Sequence, residues 1–307
     1  MAKAKSTLTR RGMLKGSAAG LAALTIVPRH VLGGRGYIPP SDMINHAVIG
    51  VGGMGRGHVN MVKGDKIGKL VAVCDVDAKH LANAVKQGGG DCKGYLDYRD
   101  VFDRGDVDVA HIVTPPHWHA LISIAAANAG IDVWCEKPMT RTIAEGQHVI
   151  DAVQRNGVVF RLNTWFRLYG GLYGLGATAK QVKTLVESGE LGWPLTARVS
   201  PHTGFSWKVR MWSGKTNIKP EPVPDGFDYD RWLGPAPVKP YFRHRTHASF
   251  RGYWDYDGGG LADMGQHYLD PVQYILNKDN TSPVEIEAHA PWPTHPDACG
   301  AWGRVVM

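Results

Sequence analysis

This 307-residue chain has little cysteine, no acidic residue near its amino terminus and no long apolar run. Its four cysteines, Cys74, Cys92, Cys135 and Cys299, form neither a dense framework nor a Cys-x-x-Cys pair. This pattern excludes a disulfide scaffold and a cysteine-based zinc module. Cys74 and Cys135 fall within apolar segments, where a free thiol packs as a small hydrophobic group. We therefore expect no structural disulfide.

Residues 1–41 carry seven basic residues and no acidic one. Removing these seven from the 35 lysines and arginines leaves 28, against 28 aspartates and glutamates, so the formal charge of +7 belongs to this segment. The rest of the chain has no excess of positive charge with which to neutralise phosphates, and nucleic acid is not an expected partner. The length and the ordinary hydrophobic content of 43% predict about two globular domains.

The amino-terminal segment has the pattern of an export signal. Arg10 and Arg11 are followed by Met13, where phenylalanine is usual, by Lys15 and by a weakly apolar stretch at 16–27. This stretch is shorter than the about 20 apolar residues that span a bilayer, so we expect no stable membrane insertion. The segment resembles a twin-arginine signal, which predicts export by the twin-arginine machinery to the periplasm or the medium. A disordered basic tail is the alternative, and the sequence shows no clear cleavage site.

From residue 42 to residue 162, strand and helix signals alternate, which is typical of a doubly wound parallel sheet. Apolar runs predict strands at 45–49, 69–74, 107–113, 131–135 and 158–162. Helices are predicted at 78–86, between His119 and Gly130, and at 143–155. In such a sheet, ligands bind beyond the carboxyl ends of the strands.

The character of the sequence changes after residue 162. The predicted features are a helix at 179–188, an irregular stretch rich in Trp, Tyr, Pro and Arg at 202–256, a helix at 261–276, and strands at 284–288 and from 304 onwards. Long aromatic loops either form substrate walls or pack tightly at the surface, and both interpretations stay open. We predict a second, substrate-side domain over residues 163–307.

A glycine-rich turn, Gly-Val-Gly-Gly-Met-Gly, follows the first predicted strand at 50–55. Gly50 permits a tight turn, Gly52 lets a pyrophosphate approach the backbone, and Gly55 allows the next helix to pack closely. Asp75 ends the second predicted strand and is placed to accept hydrogen bonds from the adenosine ribose. A carboxylate there repels a 2′-phosphate, so NAD is the predicted cofactor and NADP is less favoured.

Lys137 follows the predicted strand at 131–135 within the segment Glu136-Lys137-Pro138. In isolation this segment would be read as a surface turn. Beside a dinucleotide-binding turn at the same sheet edge, however, the lysine is placed to exchange a proton with a substrate hydroxyl or carbonyl.

Asp263 and His267 are four residues apart in a predicted helix, and such residues share one helix face. A carboxylate beside an imidazole orients the ring and raises its basicity, which predicts an acid/base pair. A hydrogen bond on the helix surface is the plain alternative. The glycine triplet at 258–260, which allows close approach to another surface, favours the catalytic interpretation.

His117 and His119 flank Trp118 at the start of a predicted helix. Two metal ligands on an extended segment are one interpretation. A position beside the cofactor pocket explains the pair without a metal, and we predict no metal site.

Together these segments resemble the glucose–fructose oxidoreductase, inositol dehydrogenase and rhizopine-catabolism family (Gfo/Idh/MocA). The resemblance rests on the turn at 50–55, Thr-Pro-Pro-His-Trp-His at 114–119, Glu-Lys-Pro at 136–138, Trp-Leu-Gly-Pro-Ala-Pro at 232–237 and Gly-Gly-Gly-Leu-Ala-Asp-Met-Gly-Gln-His at 258–267. It implies Lys137, Asp263 and His267 as the catalytic residues. The cofactor-binding residues expected from the motifs are Gly50, Gly52, Gly53, Met54, Gly55, Asp75, Thr114, Pro115, His119, Glu136 and Lys137.

The resemblance also implies the fold: a Rossmann domain at 42–162, then an α/β domain with a large, open, mostly antiparallel sheet that often mediates oligomer contacts. We therefore expect the full-length form to be a homo-oligomer. Exported members usually continue beyond the point where this sequence ends. The chain is thus expected to be truncated at its carboxyl terminus, with the second sheet incomplete.

The function predicted from these features is NAD-dependent oxidation or reduction of a sugar, sugar acid or cyclitol hydroxyl by hydride transfer. Little free NAD is expected outside the cytoplasm, so the cofactor is predicted to be tightly held. One alternative is an NAD-dependent glycoside hydrolase or epimerase that oxidises its substrate transiently. A non-catalytic binding protein on the same fold is the second alternative.

Overall fold

A computed structural model describes residues 38–167, 171–172, 175–199, 209–290, 295–300 and 304–307. The twin-arginine pattern lies outside these residues. The chain divides into two compact units, Met1–Met43 and Ile44–Met307. The described part of the first unit contains a single 3-10 turn, Pro40–Asp42.

Six parallel strands form the central sheet of the second unit, in the spatial order β3-β2-β1-β4-β5-β6. They are β1 (Ile44–Ile49), β2 (Gly68–Cys74), β3 (Lys93–Tyr95), β4 (Val109–Ile112), β5 (Asp132–Cys135) and β6 (Phe160–Leu162). The chain builds outwards from β1 in one direction and then, from β4, in the other. This switch point confirms the predicted doubly wound sheet and sets a crevice at the carboxyl ends of β1 and β4.

Helices cover both faces of this sheet. They are α1 (Gly53–Gly64), α2 (Ala78–Gly88), α3 (Tyr98–Phe102), α4 (His119–Asn128) and α5 (Ile143–Asn156). Alternation along β1 sends Ala47 and Ile49 into one buried apolar cluster and Val48 into the other. The start of α5 is fixed by a capping box between Thr142 and Glu145.

Besides three short 3-10 turns, the described elements that follow the sheet in the chain are four α-helices, a π-helical turn and two strands. They are α6 (Ala179–Glu187), α7 (Val209–Trp212), α8 (Tyr229–Leu233), the π-helical turn Leu261–Gly265, α9 (Gln266–Ile275), β7 (Glu287–His289) and β8 (Arg304–Val306). The last two strands pair antiparallel. Residues of α8 and aromatic residues between 227 and 256 form a buried cluster, and Tyr253 and Tyr256 are completely buried within it. Tight packing thus accounts for part of the aromatic stretch.

Short elements account for most departures from the sequence-based expectations. Neither β3 nor α3 was expected, because neither contains a continuous apolar run: β3 reads Lys-Gly-Tyr and α3 reads Tyr-Arg-Asp-Val-Phe. The strand expected at 284–288 begins only at Glu287, and Val284 and Ile286 are exposed. All four cysteines are buried and free. Among the described residues, no helix is long and apolar enough to span a membrane.

Candidate active site

A cleft of about 550 Å³ lies at the carboxyl ends of the parallel strands. Most of the residues predicted from the sequence to form a site border it: Gly50, Gly52, Gly53, Met54, Asp75, Thr114, Pro115, Glu136, Lys137, Asp263 and His267. The opposite wall comes from the second half of the chain, where Phe227, Trp232 and Phe250 line the cleft. Part of the aromatic stretch at 202–256 therefore lines the cleft, in agreement with its interpretation as a substrate wall.

The glycine-rich turn joins β1 to α1, and on its protein side it packs directly against other backbone atoms. Gly50 has a φ of +85°, and a Cβ there would lie 2.8 Å from the backbone nitrogen of Thr114. A Cβ on Gly55 would lie 2.0 Å from the carbonyl oxygen of Gly50, so Gly55 sits behind the cleft wall and lets α1 approach the turn. By contrast, a Cβ on Gly53 would meet nothing within 4 Å. The turn is closed on the protein side and open on the cleft side, a form that fits a pyrophosphate at the start of α1.

Asp75 ties the end of β2 to this turn. Its Oδ2 accepts a hydrogen bond from the backbone of Val51 at 2.8 Å, and its Oδ1 accepts one from the backbone of Asp77 at 2.9 Å. His80 lies 3.7 Å from the same carboxylate, which raises the pKa of the imidazole. The carboxylate expected to favour NAD therefore borders the cleft, but it has an imidazole neighbour that the sequence did not predict.

Lys137 and Asp263 meet across the cleft wall. Lys137 Nζ donates to Asp263 Oδ1 at 2.8 Å and to the backbone carbonyl of Asp263. Their side chains are 10% and 2% exposed, so this is a buried ion pair between residues 126 positions apart. Arg251 Nε lies 3.0 Å from Asp263 Oδ1, and Trp212 Nε1 donates to Asp263 Oδ2 at 3.0 Å. The sequence analysis paired Asp263 with His267 in the same predicted helix. It did not predict Lys137, Arg251 and Trp212 as partners of Asp263.

His267 borders the same cleft in the first turn of α9. Its ring packs nearly perpendicular to that of Phe166, with 5.6 Å between the ring centroids and 82° between the ring planes. Asp263 lies in the π-helical turn, which is wider than an α-helix, so the spacing from 263 to 267 is not that of a regular helix face. Lys137, Asp263 and His267 nevertheless all reach one cleft.

Asp257 is a cleft residue that the sequence reasoning missed. It is 3% exposed, and its Oδ1 accepts a hydrogen bond from the backbone of Gly258 at 2.8 Å. Burial, and to a lesser degree the nearby charge of Asp263, raise the pKa of this carboxyl to about 6. A carboxyl that titrates near neutral pH is suited to proton transfer. Its position next to the glycine triplet was the only sequence signal.

His117 and His119 are buried, and their ring nitrogens lie within hydrogen-bonding distance of backbone carbonyls in segments that line the cleft. His119 Nδ1 lies 2.7 Å from the carbonyl oxygen of Pro138 and its Nε2 lies 2.8 Å from that of Thr114. His117 Nε2 lies 3.0 Å from the carbonyl oxygen of Trp232. Burial lowers the pKa of both rings, that of His117 to about 3. The expected cofactor residue His119 thus positions two cleft-lining segments.

Asp77, His80 and His247 each place one potential ligand atom within 4.8 Å of the others, the one such group found in the described part of the chain. These residues could hold a metal ion, a set that the prediction of no metal did not consider. His80 also faces Asp75 at 3.7 Å, and that interaction would compete with ligation.

Two family models together match most of the chain. One, described as "Oxidoreductase family, NAD-binding Rossmann fold", matches residues 44–164. The other, described as "Oxidoreductase family, C-terminal alpha/beta domain", matches residues 175–307. Both belong to the Gfo/Idh/MocA family. They confirm the resemblance drawn from the motifs, together with the predicted NAD-binding Rossmann domain.

Individual relatives match shorter parts. Inositol 2-dehydrogenase of Salmonella typhimurium is 35% identical over 149 residues, which are 48% of this chain and 43% of that protein. Glycosyl hydrolase family 109 protein 2 of Shewanella sp. (strain ANA-3) is 34% identical over 125 residues, 38% of this chain and 27% of that protein. The chain therefore spans less than half the length of these two curated relatives.

A solved structure matches over more of the chain. GenD2 from gentamicin A biosynthesis, determined in complex with NAD, has a TM-score of 0.60 at 18% identity and covers 92% of this chain and 64% of its own. At that identity, the likeness shows the fold alone.

Proposed function

Because the chain belongs to the Gfo/Idh/MocA family of oxidoreductases, we propose that it oxidises or reduces a hydroxyl carbon of a sugar, sugar acid or cyclitol with NAD. One observation carries the proposal. Lys137 and Asp263, from the two halves of the fold, form a buried pair at 2.8 Å in the wall of the cleft that the glycine-rich turn also borders. A proton-transfer group and a dinucleotide-binding turn thus share one cleft.

NAD, when bound, supplies the hydride acceptor or donor. The residues that would hold it are the turn at 50–55, open towards the cleft at Gly53, and Asp75 beside the adenosine ribose. The carboxylate of Asp75 disfavours a 2′-phosphate, which supports NAD over NADP.

The chain's own residues handle the substrate proton. The imidazole of His267, or Lys137 Nζ as the neutral amine, takes the hydroxyl proton during oxidation and returns it during reduction. Asp263 accepts a hydrogen bond from the amino group of Lys137 and holds it in place, and Trp212 and Arg251 hold Asp263.

Replacement of Lys137 by methionine tests this assignment. We expect turnover on a responsive polyol to fall about 10²- to 10⁴-fold, the usual contribution of a general acid or base, while NAD binding measured by fluorescence persists. The matched control is Lys180→Met, which removes an exposed lysine from α6. Unchanged turnover in Lys137→Met would refute the role of Lys137, and an equal loss in the control would show that the effect is not specific.

A redox-neutral reaction is the alternative function, in which the sugar is oxidised transiently and then cleaved or inverted. The similarity to a glycosyl hydrolase family 109 protein favours it over the third possibility, a non-catalytic binding protein. Incubation with glycosides, with absorbance of reduced nicotinamide and released sugar followed together, separates the cases. Sugar product without net reduced cofactor indicates the redox-neutral reaction, whereas cofactor retention with no reaction on any polyol or glycoside indicates a binding protein.

We also propose that residues 1–41 direct export through the twin-arginine machinery and that the full-length protein forms a homo-oligomer. The paired Arg10 and Arg11 support the first proposal. Replacing both arginines by lysine should leave a fused reporter in the cytoplasm, and continued export would contradict the proposal. Light scattering on full-length protein tests the second, since a monomeric mass would contradict it.

A further inference from the structure

Two imidazoles and a carboxylate meet beside the cleft at the start of α2. His247 Nε2 lies 3.5 Å from Asp77 Oδ2, and His80 Nδ1 lies 4.0 Å from the same oxygen. One potential ligand atom from each of the three residues lies within 4.8 Å of the other two. His80 and His247 also line the cleft. We call Asp77, His80 and His247 the imidazole–carboxylate cluster.

The carboxylate of the cluster is oriented by the start of α2. Asp77 is the N-cap of this helix, and its Oδ1 accepts hydrogen bonds from the backbone of Lys79 at 2.8 Å and of His80 at 3.2 Å. These bonds fix the plane of the carboxylate and leave Oδ2 to face the two rings. One oxygen of Asp77 therefore serves the helix, and the other is directed at the cluster.

The ring of His247 is held between two aromatic neighbours. It packs on Phe227 with 5.4 Å between the ring centroids and stands nearly edge-on to His80 with 4.9 Å between the centroids. Phe227 in turn forms an antiparallel bridge with Asp77. The φ of His247 is +52°, a conformation that residues other than glycine rarely adopt and that surrounding contacts must maintain. The second half of the chain thus places this ring against the start of α2.

The spacing of the cluster suits a small transition-metal ion. Around a tetrahedral ion with bonds of about 2.0–2.1 Å, neighbouring ligand atoms are about 3.3–3.4 Å apart. Both contacts of Asp77 Oδ2 are within about 0.7 Å of this separation, so small side-chain shifts close the site. Imidazole nitrogen combined with carboxylate oxygen suits Zn²⁺ and its neighbours in the first transition series, whereas Mg²⁺ and Ca²⁺ prefer oxygen ligands.

A metal ion needs both imidazoles in their neutral form. Burial lowers the pKa of His247, and the nearby ring of His80 lowers it further, so this ring is available for ligation at neutral pH. Contact with Asp75, whose Oδ2 lies 3.7 Å from His80 Nδ1, raises the pKa of His80. An ion that binds must therefore displace the proton of His80 and draw its ring from Asp75 towards Asp77.

The charges around the cluster favour this displacement. Asp75 and Asp77 each raise the pKa of both imidazoles more than Arg56, at one ring, and Arg243, at the other, lower it. The two carboxylates therefore outweigh the two guanidiniums in the field at the rings. A negative local potential attracts a divalent cation.

We propose that the imidazole–carboxylate cluster is a binding site for one divalent transition-metal ion, such as Zn²⁺, with water as the further ligand. This site is separate from the pair His117 and His119, and it departs from the expectation that the chain has no metal site. The proposal goes beyond the proposed function and does not depend on it.

The ion would anchor a segment that supports the ion pair of the cleft. His247 begins the 3-10 turn His247–Gly252. Arg251, near the end of this turn, lies 3.0 Å from Asp263 Oδ1, the oxygen to which Lys137 donates. A metal ion at His247 therefore ties the start of α2 to the segment that carries Arg251.

Calorimetric titration of the metal-free full chain with ZnCl₂ tests the site without cofactor or substrate. We expect the parent protein to bind one equivalent of Zn²⁺ and to bind Mg²⁺ far more weakly. His247→Asn and His80→Gln should each weaken Zn²⁺ binding about 100-fold or more, because even groups that only orient a metal ligand contribute about 10- to 100-fold. Asparagine tolerates the left-handed backbone at 247, and glutamine is a good helix former at 80, so both variants should fold.

A matched control and a spectroscopic probe make the result specific. His148→Gln changes an exposed histidine of α5 and should bind Zn²⁺ as the parent protein does. Co²⁺ in place of Zn²⁺ should give the visible absorption of a nitrogen-ligated ion in the parent and the control but not in the two cluster variants. Absence of Zn²⁺ binding in the parent, an unchanged affinity in either folded cluster variant, or an equal loss in His148→Gln would overturn the proposal. If one cluster variant does not fold, the other decides.

Hydrogen exchange tests the anchoring of the 3-10 turn. Zn²⁺ should slow exchange of the backbone amides at 248–252 in the parent protein and leave them unchanged in His247→Asn. Equal exchange in the parent with and without bound Zn²⁺ would overturn the anchoring. None of these measurements uses NAD or a polyol, so failure of the metal site leaves the proposed function standing, and inactivity on every polyol leaves the metal site standing.

Discussion

Asp257→Asn should make the protein more stable at alkaline pH than the parent protein. Burial raises the pKa of Asp257 from 3.8 to about 6, so its charged form is disfavoured in the fold. The Asp257 carboxyl therefore contributes stability while it is protonated, and this contribution is lost as the pH rises from the unfolded value of 3.8 through the folded value of about 6. Asparagine is neutral throughout and removes this loss.

The size of the effect follows from the two pKa values. At 1.36 kcal/mol per unit of pKa, the ionised carboxylate costs the folded state about 3 kcal/mol above neutral pH. Part of this cost is already present at about pH 4.5, so the stability gap between variant and parent should widen by about 2 kcal/mol between about pH 4.5 and about pH 8. In a chain of this size, that corresponds to a relative rise in Tm of about 4 °C. Any fixed cost of burying the asparagine amide cancels, because only the change with pH is compared.

Thermal unfolding of parent and variant at the two pH values measures this gap. Asp225→Asn, an exposed carboxyl in the loop before α8, is the matched control and should show a gap that does not depend on pH. A gap for Asp257→Asn that stays constant or narrows as the pH rises would refute the reasoning. Three charged groups act on Asp257, namely Asp263, Arg251 and Lys137, and the last two oppose the upward shift.

Two further substitutions test the cofactor preference and the support of the ion pair. Asp75→Asn keeps one acceptor oxygen for the backbone of Val51 or Asp77 but removes the negative charge, so the ratio of NADP to NAD dissociation constants should fall about tenfold, the equivalent of 1.4 kcal/mol. An unchanged ratio in fluorescence titrations would contradict the role of Asp75. Trp212→Phe removes the indole donor from the buried carboxylate of Asp263 and should lower the free energy of unfolding by about 1–3 kcal/mol. A loss well below this range in urea unfolding would show that the bond contributes little.

Local sequence patterns predicted the central sheet and the cofactor side of the cleft well. Apolar runs predicted β1, β2, β4, β5 and β6. Strands in the interior of a parallel sheet read as continuous hydrophobic segments, and β6, although only half-buried, lies in such a run as well. The glycine-rich turn predicted where the cleft lies, because Gly50 and Gly55 leave no room for a side chain. β3 and α3 contain no comparable apolar run, because β3 reads Lys-Gly-Tyr and α3 reads Tyr-Arg-Asp-Val-Phe.

Long-range polar contacts could not be predicted from such patterns. His46 and His111 stand in apolar runs and are 65 positions apart, so nothing local shows that their rings meet. Asp263 was paired with His267 on the assumption of a regular helix, whereas a π-helical turn changes the spacing and Lys137 arrives from 126 positions away. The raised pKa of Asp257 depends on burial, which only the assembled cleft creates.

The contacts of Asp263 also determine how Lys137→Met must be read. Removing one partner of a buried ion pair commonly costs about 3–5 kcal/mol, because it leaves an uncompensated charge. Here Asp263 keeps Arg251 at 3.0 Å and the indole of Trp212 at 3.0 Å, so its charge stays compensated after Lys137 is removed. The fold should therefore tolerate Lys137→Met better than a lone buried pair would. A large loss of turnover with little change in Tm is then assigned to the missing amino group of Lys137 and not to a collapsed cleft.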